Sequence, residues 1–420
     1  MTGHFIMAPP PMPPPLSILP AGSMSLVLPQ TPPTSHNTWE LPSEQVEKPK
    51  SQSAMHWGHI AIFYLVQQMH RWERFIFQFD KQFTSMSALK SITGNAPLLK
   101  EFDISSSEPA FYAEWPWLPN ASPTSNLELP SLKTLTLQYA PFKWNSPMLR
   151  TNLHTLNLRA LPTGHLPLDR ILSIIAANPA LKELSLNFHG ALPAILPLTP
   201  TPLPELETLT IGGHYLLSGL VDTLILPRLR SLTLDIDARE SIEDIVTGML
   251  TRSGKPAVEH LSVGYSPGNT SAHFYYSPGG MLVTSWTTLL RELPQLKTLQ
   301  LGGTALEPLL GALSGPDSDA YSGPGQPAWA GWVCPILESL SLRNCHAHND
   351  GVQRLVGMVG GRNNTGGGGG AGSGNTNTNG TPAQIKTLEL YECTSLGADV
   401  IEWLSKHVEE VVCTEPTYER

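Results

Sequence analysis

The stretch LESLSLRNC, residues 337–345, decides the fold. Leu340 and Leu342 alternate with polar residues within it, so both leucines share one face of a predicted strand. The stretch IKTLELYEC, residues 385–393, repeats the same spacing of apolar and polar residues. One such strand cannot bury its leucine face alone, whereas parallel copies stacked side by side bury a continuous ladder of leucine.

The same apolar-x-x-apolar-x-apolar spacing returns along most of the chain. The other copies begin at Leu99, Leu132, Leu153, Leu181, Leu206, Leu229, Val258 and Leu296, and Val408 begins a frayed last copy. Most of the intervals fit the period of roughly 20–29 residues that is typical of leucine-rich repeats, and the longer intervals indicate insertions. Helical periodicity lies between the copies, over Leu168–Ala177, Ile242–Thr251, Met281–Leu293, Val352–Val359 and Ala398–Lys406. The sequence therefore predicts an α/β leucine-rich-repeat solenoid, a horseshoe of parallel strands and irregular helices.

Proline and glycine divide the chain into regions. Ten prolines lie between residues 8 and 33, and they favour polyproline II or coil over helix. We therefore expect a disordered tail over 1–55, a cap of helix and strand over 56–96, and the solenoid over 97–420. Flexible insertions are expected near 313–335 and 360–382, where Gly, Ser, Asn and Pro accumulate.

The composition argues against several classes of function. The net charge of −9 disfavours a general nucleic-acid binder, which normally carries a basic excess. No apolar run approaches the length of about 18 residues that a membrane span needs, and four cysteines are too few for a disulfide scaffold. No Lys or Arg precedes Lys48, so a signal peptide would lack its charged start. We expect a cytoplasmic or nuclear protein with no nucleic-acid and no membrane partner.

A G-x-S-x-G match at residues 264–268 is the one pattern typical of a serine hydrolase. In that motif the residue after the serine donates its backbone N–H to the oxyanion hole. Pro267 occupies that position and has no N–H. We therefore expect no enzyme and no catalytic residue, with a hydrolase acting through Ser266 as the remote alternative.

Two cysteines and two histidines lie close together late in the chain: Cys334, Cys345, His346 and His348. They lack the paired C-x₂-C spacing of structural zinc sites. Cys345 and Cys393 are better explained as small buried groups at the corner of a repeat. We therefore expect no metal and no cofactor.

The last two repeats carry a family resemblance. Cys345 and Cys393 each close an apolar-x-x-Leu-x-Leu-x-x-Cys unit, and Asn349-Asp350-Gly351-Val352 follows the first. These units resemble the cysteine-containing leucine-rich repeats common in F-box proteins. Upstream, residues 56–75 form an apolar helix, an Arg-Trp element and a short strand, an order that resembles the region after the F-box in the large fungal F-box/leucine-rich-repeat family. The resemblance implies the substrate-recognition subunit of an SCF-type ubiquitin ligase.

The F-box itself is not detectable in the sequence. Residues 41–44, Leu-Pro-Ser-Glu, match only its opening, and Pro49 interrupts what would be its first helix. A ubiquitin-ligase adaptor is therefore an expected partner only if an F-box exists upstream. The alternative is a leucine-rich-repeat interaction scaffold with no ligase role.

The polar residues between the leucines are the candidate binding residues, because they face the concave side of a leucine-rich horseshoe. We expect a protein partner there, and the candidate contacts are Gln138, Arg159, Glu183, Asn187, Asp235, His260, Gln300, Arg343, Glu389 and Tyr391. Small hydroxyl side chains dominate this face and no basic stripe runs along it, which disfavours a phosphate backbone as the ligand.

Overall fold

The backbone follows the predicted alternation of strand and helix. In the computed structural model the described residues are 53–79, 92, 95–106, 129–140, 144–160, 166–236, 241–264, 285–316, 331–345, 347, 350–363, 382–393 and 396–414. They all fall within the unit Gln52–Arg420. Most of the predicted tail and most of both predicted insertions lie outside these residues.

Fourteen strands are present in the described part of the chain. In order, they are β1 Arg74–Phe79, β2 Glu101–Ser106, β3 Thr134–Gln138, β4 Thr155–Ala160, β5 Glu183–Phe188, β6 Thr201–Pro202, β7 Thr208–Gly213, β8 Leu224–Ile225, β9 Ser231–Ile236, β10 His260–Val263, β11 Thr298–Gly302, β12 Ser339–Arg343, β13 Thr387–Tyr391 and β14 Glu410–Thr414. All except β6 and β8 form a single 12-stranded sheet, and β6 and β8 pair with each other.

The large sheet is parallel and its strands follow one another in chain order. The repeat spacing predicts the register: Leu340 of β12 lies opposite Leu299 of β11 and Leu388 of β13. Leu340 and Leu388 are each 0% exposed. The fold is therefore an α/β leucine-rich-repeat fold, in which each strand supplies one rung of a buried leucine ladder.

Helices join the strands on the side of the leucine core. They are α1 Ser53–Val66, α2 Leu168–Ala176, α3 Ser218–Val221, α4 Ile242–Arg252, α5 Trp286–Arg291, α6 Leu306–Leu313, α7 Gly351–Asn363 and α8 Ala398–His407. From α2 to α8, each helix contacts the next. In α2 the residues Leu168, Ile171, Leu172 and Ile175 are buried, which is the i, i+3, i+4, i+7 stripe of an amphipathic helix.

Asparagine side chains tie the ends of two helices to a neighbouring repeat. After α2, the Asn178 amide oxygen accepts from the Leu153 N–H (2.9 Å), and its amide nitrogen donates to the carbonyls of Leu149 (2.7 Å) and Ile174 (2.8 Å). At the end of α7, the Asn363 amide oxygen accepts from the Ile385 N–H (2.9 Å), and its amide nitrogen donates to the carbonyls of Ile385 (2.9 Å) and His407 (2.7 Å). Asn178 therefore bonds back to earlier residues, whereas Asn363 bonds forward to the next repeat.

Three features add to the sequence-based prediction. Strand β1, the short strand expected in the cap, pairs with β2 in register, Phe75 opposite Phe102. Helix α6 was not predicted, although Leu306, Leu309, Leu310 and Leu313 form its buried stripe. Helix α7 continues past its predicted end because Arg362, 0% exposed, donates to three backbone carbonyls of residues 313, 333 and 334.

Candidate functional site

The candidate site is the polar face of the large sheet, formed by the side chains at the first, third and fifth positions of each strand. The second and fourth positions are buried, as the alternating pattern of β3 illustrates. Parallel pairing stacks equal positions side by side, so the polar face has three rows running across the strands. Curvature of the sheet, and with it a concave side, stays a prediction.

All ten predicted contact residues lie on the polar face and none is fully buried. The fifth-position row holds six of them: Gln138, Arg159, Asn187, Asp235, Arg343 and Tyr391. The third-position row holds Gln300 and Glu389, and the first-position row holds Glu183 and His260. More than half of the predicted contact residues therefore lie in one row.

The first group of candidate residues surrounds Arg159 on β4 and includes Tyr139 and Asn187. The Arg159 guanidinium lies 4.7 Å from the ring centroid of Tyr139, a cation–π geometry. Tyr139 has a φ of 52° just beyond β3, and its backbone N–H donates to the Arg159 carbonyl at 2.8 Å. Burial raises the pKa of the Tyr139 hydroxyl. The left-handed turn at Tyr139 thus presents its ring to the guanidinium.

Two polar atoms in this group are buried and unpaired. Among the described residues, only Arg159 Nε and Asn187 Oδ1 are buried side-chain nitrogen or oxygen atoms without a hydrogen-bond partner. Arg159 and Asn187 lie directly opposite each other on β4 and β5. An unpaired buried donor beside an unpaired buried acceptor costs free energy in the unbound protein. Both side chains are partly exposed as a whole. If they turn towards a partner, a peptide or carboxamide group, which offers both a carbonyl and an N–H, would satisfy both atoms.

Gly212 leaves space beside Asn187 in the same row. A Cβ at Gly212 would lie 2.7 Å from Asn187 Nδ2, so the Asn187 amide occupies the space that a side chain on β7 would fill. Asp235 follows on β9. Desolvation and the positive charge of Arg159 lower the pKa of His189, whereas Asp235 raises it. His189 therefore stays neutral to a lower pH than a free histidine side chain in water.

Arg343, Glu389 and Tyr391 form the second group, on β12 and β13. Arg343 lies opposite Tyr391 in the register. Ser341 donates to a Glu389 carboxylate oxygen at 2.7 Å. His260 and Gln300 belong to neither group, because they lie on β10 and β11 in different rows.

A row of charged residues that was not predicted from the sequence lies beside the polar face. We call it the charged row; it consists of the residue just before the first paired residue of each strand: Glu73, Lys100, Lys133, His154, Lys182, Glu207, Arg230, Glu259, Lys297, Glu338, Lys386 and Glu409. All twelve are charged or histidine. The signal was present in the sequence as the residue after the first apolar position of each copy.

Neighbours in the charged row form ion pairs. Glu73 pairs with Lys100 at 2.9 Å, Glu259 with Lys297 at 2.7 Å and Glu338 with Lys386 at 3.0 Å. The hydrogen bond from Lys297 holds the pKa of Glu259 below its ordinary value. These pairs lie at the sheet edge where the strands begin.

The residues weighed for catalysis and metal binding are placed as follows. Ser266, His346 and His348 lie outside the described residues. Cys334, Cys345 and Cys393 are buried, as predicted for the last two, and burial raises the pKa of Cys334 to about 12. Within the described ranges no group of three His, Cys, Asp or Glu side chains could hold a metal ion. None of the helices in these ranges has the length and apolar character of a membrane span.

The fold is a leucine-rich-repeat fold whose sheet carries a polar face. No protein-family model matches the chain, and no curated protein sequence matches it. Among solved structures, it is similar to an internalin, InlF, from Listeria monocytogenes str. 4b F2365, with 12% sequence identity and a TM-score of 0.35. That similarity covers 85% of this chain and 94% of the internalin chain.

Proposed function

We propose that this chain binds a protein partner through the polar face of its sheet, with the group around Arg159 as the main contact. The observation that carries the proposal is the pair of unpaired buried atoms, Arg159 Nε and Asn187 Oδ1, side by side on neighbouring strands. A protein partner supplies peptide and carboxamide groups that match a donor beside an acceptor. Arginine and tyrosine are also the residue types enriched where binding energy concentrates at interfaces.

We further propose that the partner is a substrate, recognised by a receptor related to those of SCF-type ubiquitin ligases. Support comes from the resemblance of the repeats closed by Cys345 and Cys393 to those of F-box proteins. The thiols of these two residues occupy equivalent corners and contact equivalent carbonyls, those of Leu301 and Leu342. The alternative, a scaffold with no ligase role, is favoured by the F-box match that ends at Glu44.

Quantitative affinity capture from the source cells tests the binding site. The test variant combines Arg159→Ala and Asn187→Ala. The matched control combines Glu402→Ala and Lys406→Ala, an exposed ion pair on helix α8. We expect the wild type and the control to recover the same partner, and the test variant to recover it with at least about tenfold lower affinity. Equal recovery by all three proteins, with equal melting temperatures, would contradict the proposed site.

The composition of the captured complex tests the ligase role. Recovery of a ubiquitin-ligase adaptor and a cullin together with the partner is the expected result for a substrate receptor. A partner recovered without either protein would leave the interaction scaffold and remove the ligase function.

A further inference from the structure

The charged row contains one interval in which no acidic residue lies between the basic residues. Elsewhere an acidic and a basic residue lie on adjacent strands, as in Glu259 beside Arg230 and Lys297. Between Lys100 and Glu207, however, the row consists of Lys133, His154 and Lys182, which directly precede β3, β4 and β5. We call these three residues the basic stretch.

No acidic residue in the described ranges forms an ion pair with the basic stretch. Lys133 Nζ instead donates to the Asn152 carbonyl at 3.4 Å, and Glu207, the next residue in the row, forms no ion pair with Lys182 in the structure. Like charges at directly neighbouring positions of a sheet are destabilising. From Glu207 to Glu409 acidic and basic residues alternate along the row, whereas Lys133 and Lys182 flank His154 with no acidic residue between them. The basic stretch therefore retains positive charge that no described ion pair compensates.

The positive charges of the two lysines act on His154, which lies between them. Desolvation lowers its pKa, and the charges of Lys133 and Lys182 lower it further. The two lysines therefore act on the same point from both sides. An anionic group placed over His154 would interact with both lysines at once.

We propose that the basic stretch binds a short acidic segment of the protein partner at the edge of the sheet where the strands begin. The inference rests on the proposed function, since it assumes a protein partner, and it adds the chemistry of that partner. Three neighbouring strands span about 10 Å, which matches about three extended residues. One Asp- or Glu-rich turn or strand end is long enough to cover it.

The neighbourhood of the basic stretch favours an acidic peptide over a nucleic acid. A polyanion continuing along the row past Lys182 would meet Glu207, and further on Glu259 and Glu338. The chain as a whole carries a net charge of −9, which repels a long phosphate backbone. A segment with few carboxylates avoids both penalties.

Fluorescence anisotropy with a labelled hexaglutamate peptide at low ionic strength tests the proposal on the full-length chain. The test variant is Lys133→Gln with Lys182→Gln. The matched control is Lys297→Gln with Lys386→Gln, two lysines of the same row that are paired with Glu259 and Glu338. The wild type and the control should bind the peptide, and the test variant should bind roughly tenfold more weakly, the sum of two modest ion pairs.

Three results would overturn the proposal. The first is no preference of the wild type for hexaglutamate over a neutral peptide of equal length. The second is an equal loss in the control variant, and the third is tighter binding of a single-stranded oligonucleotide than of hexaglutamate. Because the partner-capture test uses Arg159 and Asn187, failure here with success there would remove the acidic segment and keep the proposed function.

Discussion

At the scale of single residues, buried polar groups fix how each repeat meets the next. Asn178 is 0% exposed and makes three hydrogen bonds, one to Leu149 of the preceding repeat and two within its own repeat. Arg362 does the same with three carbonyls and also lies 5.5 Å from the ring centroid of Trp332. Each of these side chains satisfies backbone groups that would otherwise be buried without partners.

Asn178→Ala should lower the free energy of unfolding by about 2–4 kcal/mol, because it leaves an N–H and two carbonyls without their partner. The control is Thr251→Ala, an exposed position of α4, which should change stability by less than about 0.5 kcal/mol. Urea unfolding of both variants measures the difference. A loss for Asn178→Ala no larger than that of the control would show that solvent replaces these bonds.

Substitutions at two glycines, Gly213 and Gly254, distinguish the cost of backbone strain from the cost of a steric clash. Both have a positive φ, 95° at Gly213 and 75° at Gly254, but a Cβ at Gly213 would lie 2.2 Å from the Phe188 carbonyl oxygen whereas nothing lies within 4 Å at Gly254. Gly254→Ala should therefore cost only the left-handed strain, about 1–2 kcal/mol. Gly213→Ala should cost clearly more because β5 and β7 must separate, and equal melting temperatures for the two variants would contradict this.

At the scale of elements, the leucine ladder dominates stability. Leu340 of β12 packs within the continuous core and shares its register with leucines on both neighbouring strands. Leu340→Ala should cost about 2–5 kcal/mol through the cavity that it leaves, and Leu388→Ala should cost a similar amount. Chemical denaturation measures both losses, and an unchanged midpoint for either variant would place that leucine outside the core.

The charged row makes a prediction at the same scale. NMR titration should give His154 a pKa below its ordinary value, and Lys133→Gln with Lys182→Gln should raise it. Because the folded-state pKa is the lower one, the unfolded chain binds the proton first as the pH falls. His154 therefore removes stability between the unfolded and the folded pKa. An unchanged pKa in the double variant would mean that desolvation alone acts on His154.

The parts of this fold that depend on interactions within one strand can be predicted from the sequence. The alternation around Leu340 and Leu342 is a property of one strand, so the sequence alone predicts the sheet, its register and the outward polar residues. The first strand was predicted as part of a cap and not as a repeat, because aromatic residues, Trp72, Phe75 and Phe77, replace leucine at the same spacing. An apolar rather than a leucine pattern identifies it.

The candidate site was only partly predictable. The sequence placed Arg159 and Asn187 on the polar face, but their unpaired atoms depend on the neighbouring strands, which include Gly212 without a side chain. The basic stretch likewise requires knowing which residues of distant copies become neighbours. The spacing within one repeat predicts on which side of the sheet a side chain lies. Only the packing of several repeats determines which polar groups form hydrogen bonds or ion pairs.

At the scale of the whole molecule, the helices and the polar strand positions have different surroundings. Helices α2 to α8 contact one another in sequence beside the leucine core. Polar-face residues such as Thr210 and Thr233 are partly exposed. We propose that the helical side stabilises the fold and that a partner lies on the polar face.

Site-specific photo-cross-linking of the captured complex tests that claim most directly. A photoreactive residue is placed at Thr210 or Thr233, neighbours in the third-position row, and in separate controls at the exposed Thr251 or Glu402 of the helical side. We predict covalent adducts with the partner from Thr210 and Thr233 only. Adducts from Thr251 or Glu402, with none from the two strand positions, would contradict the account.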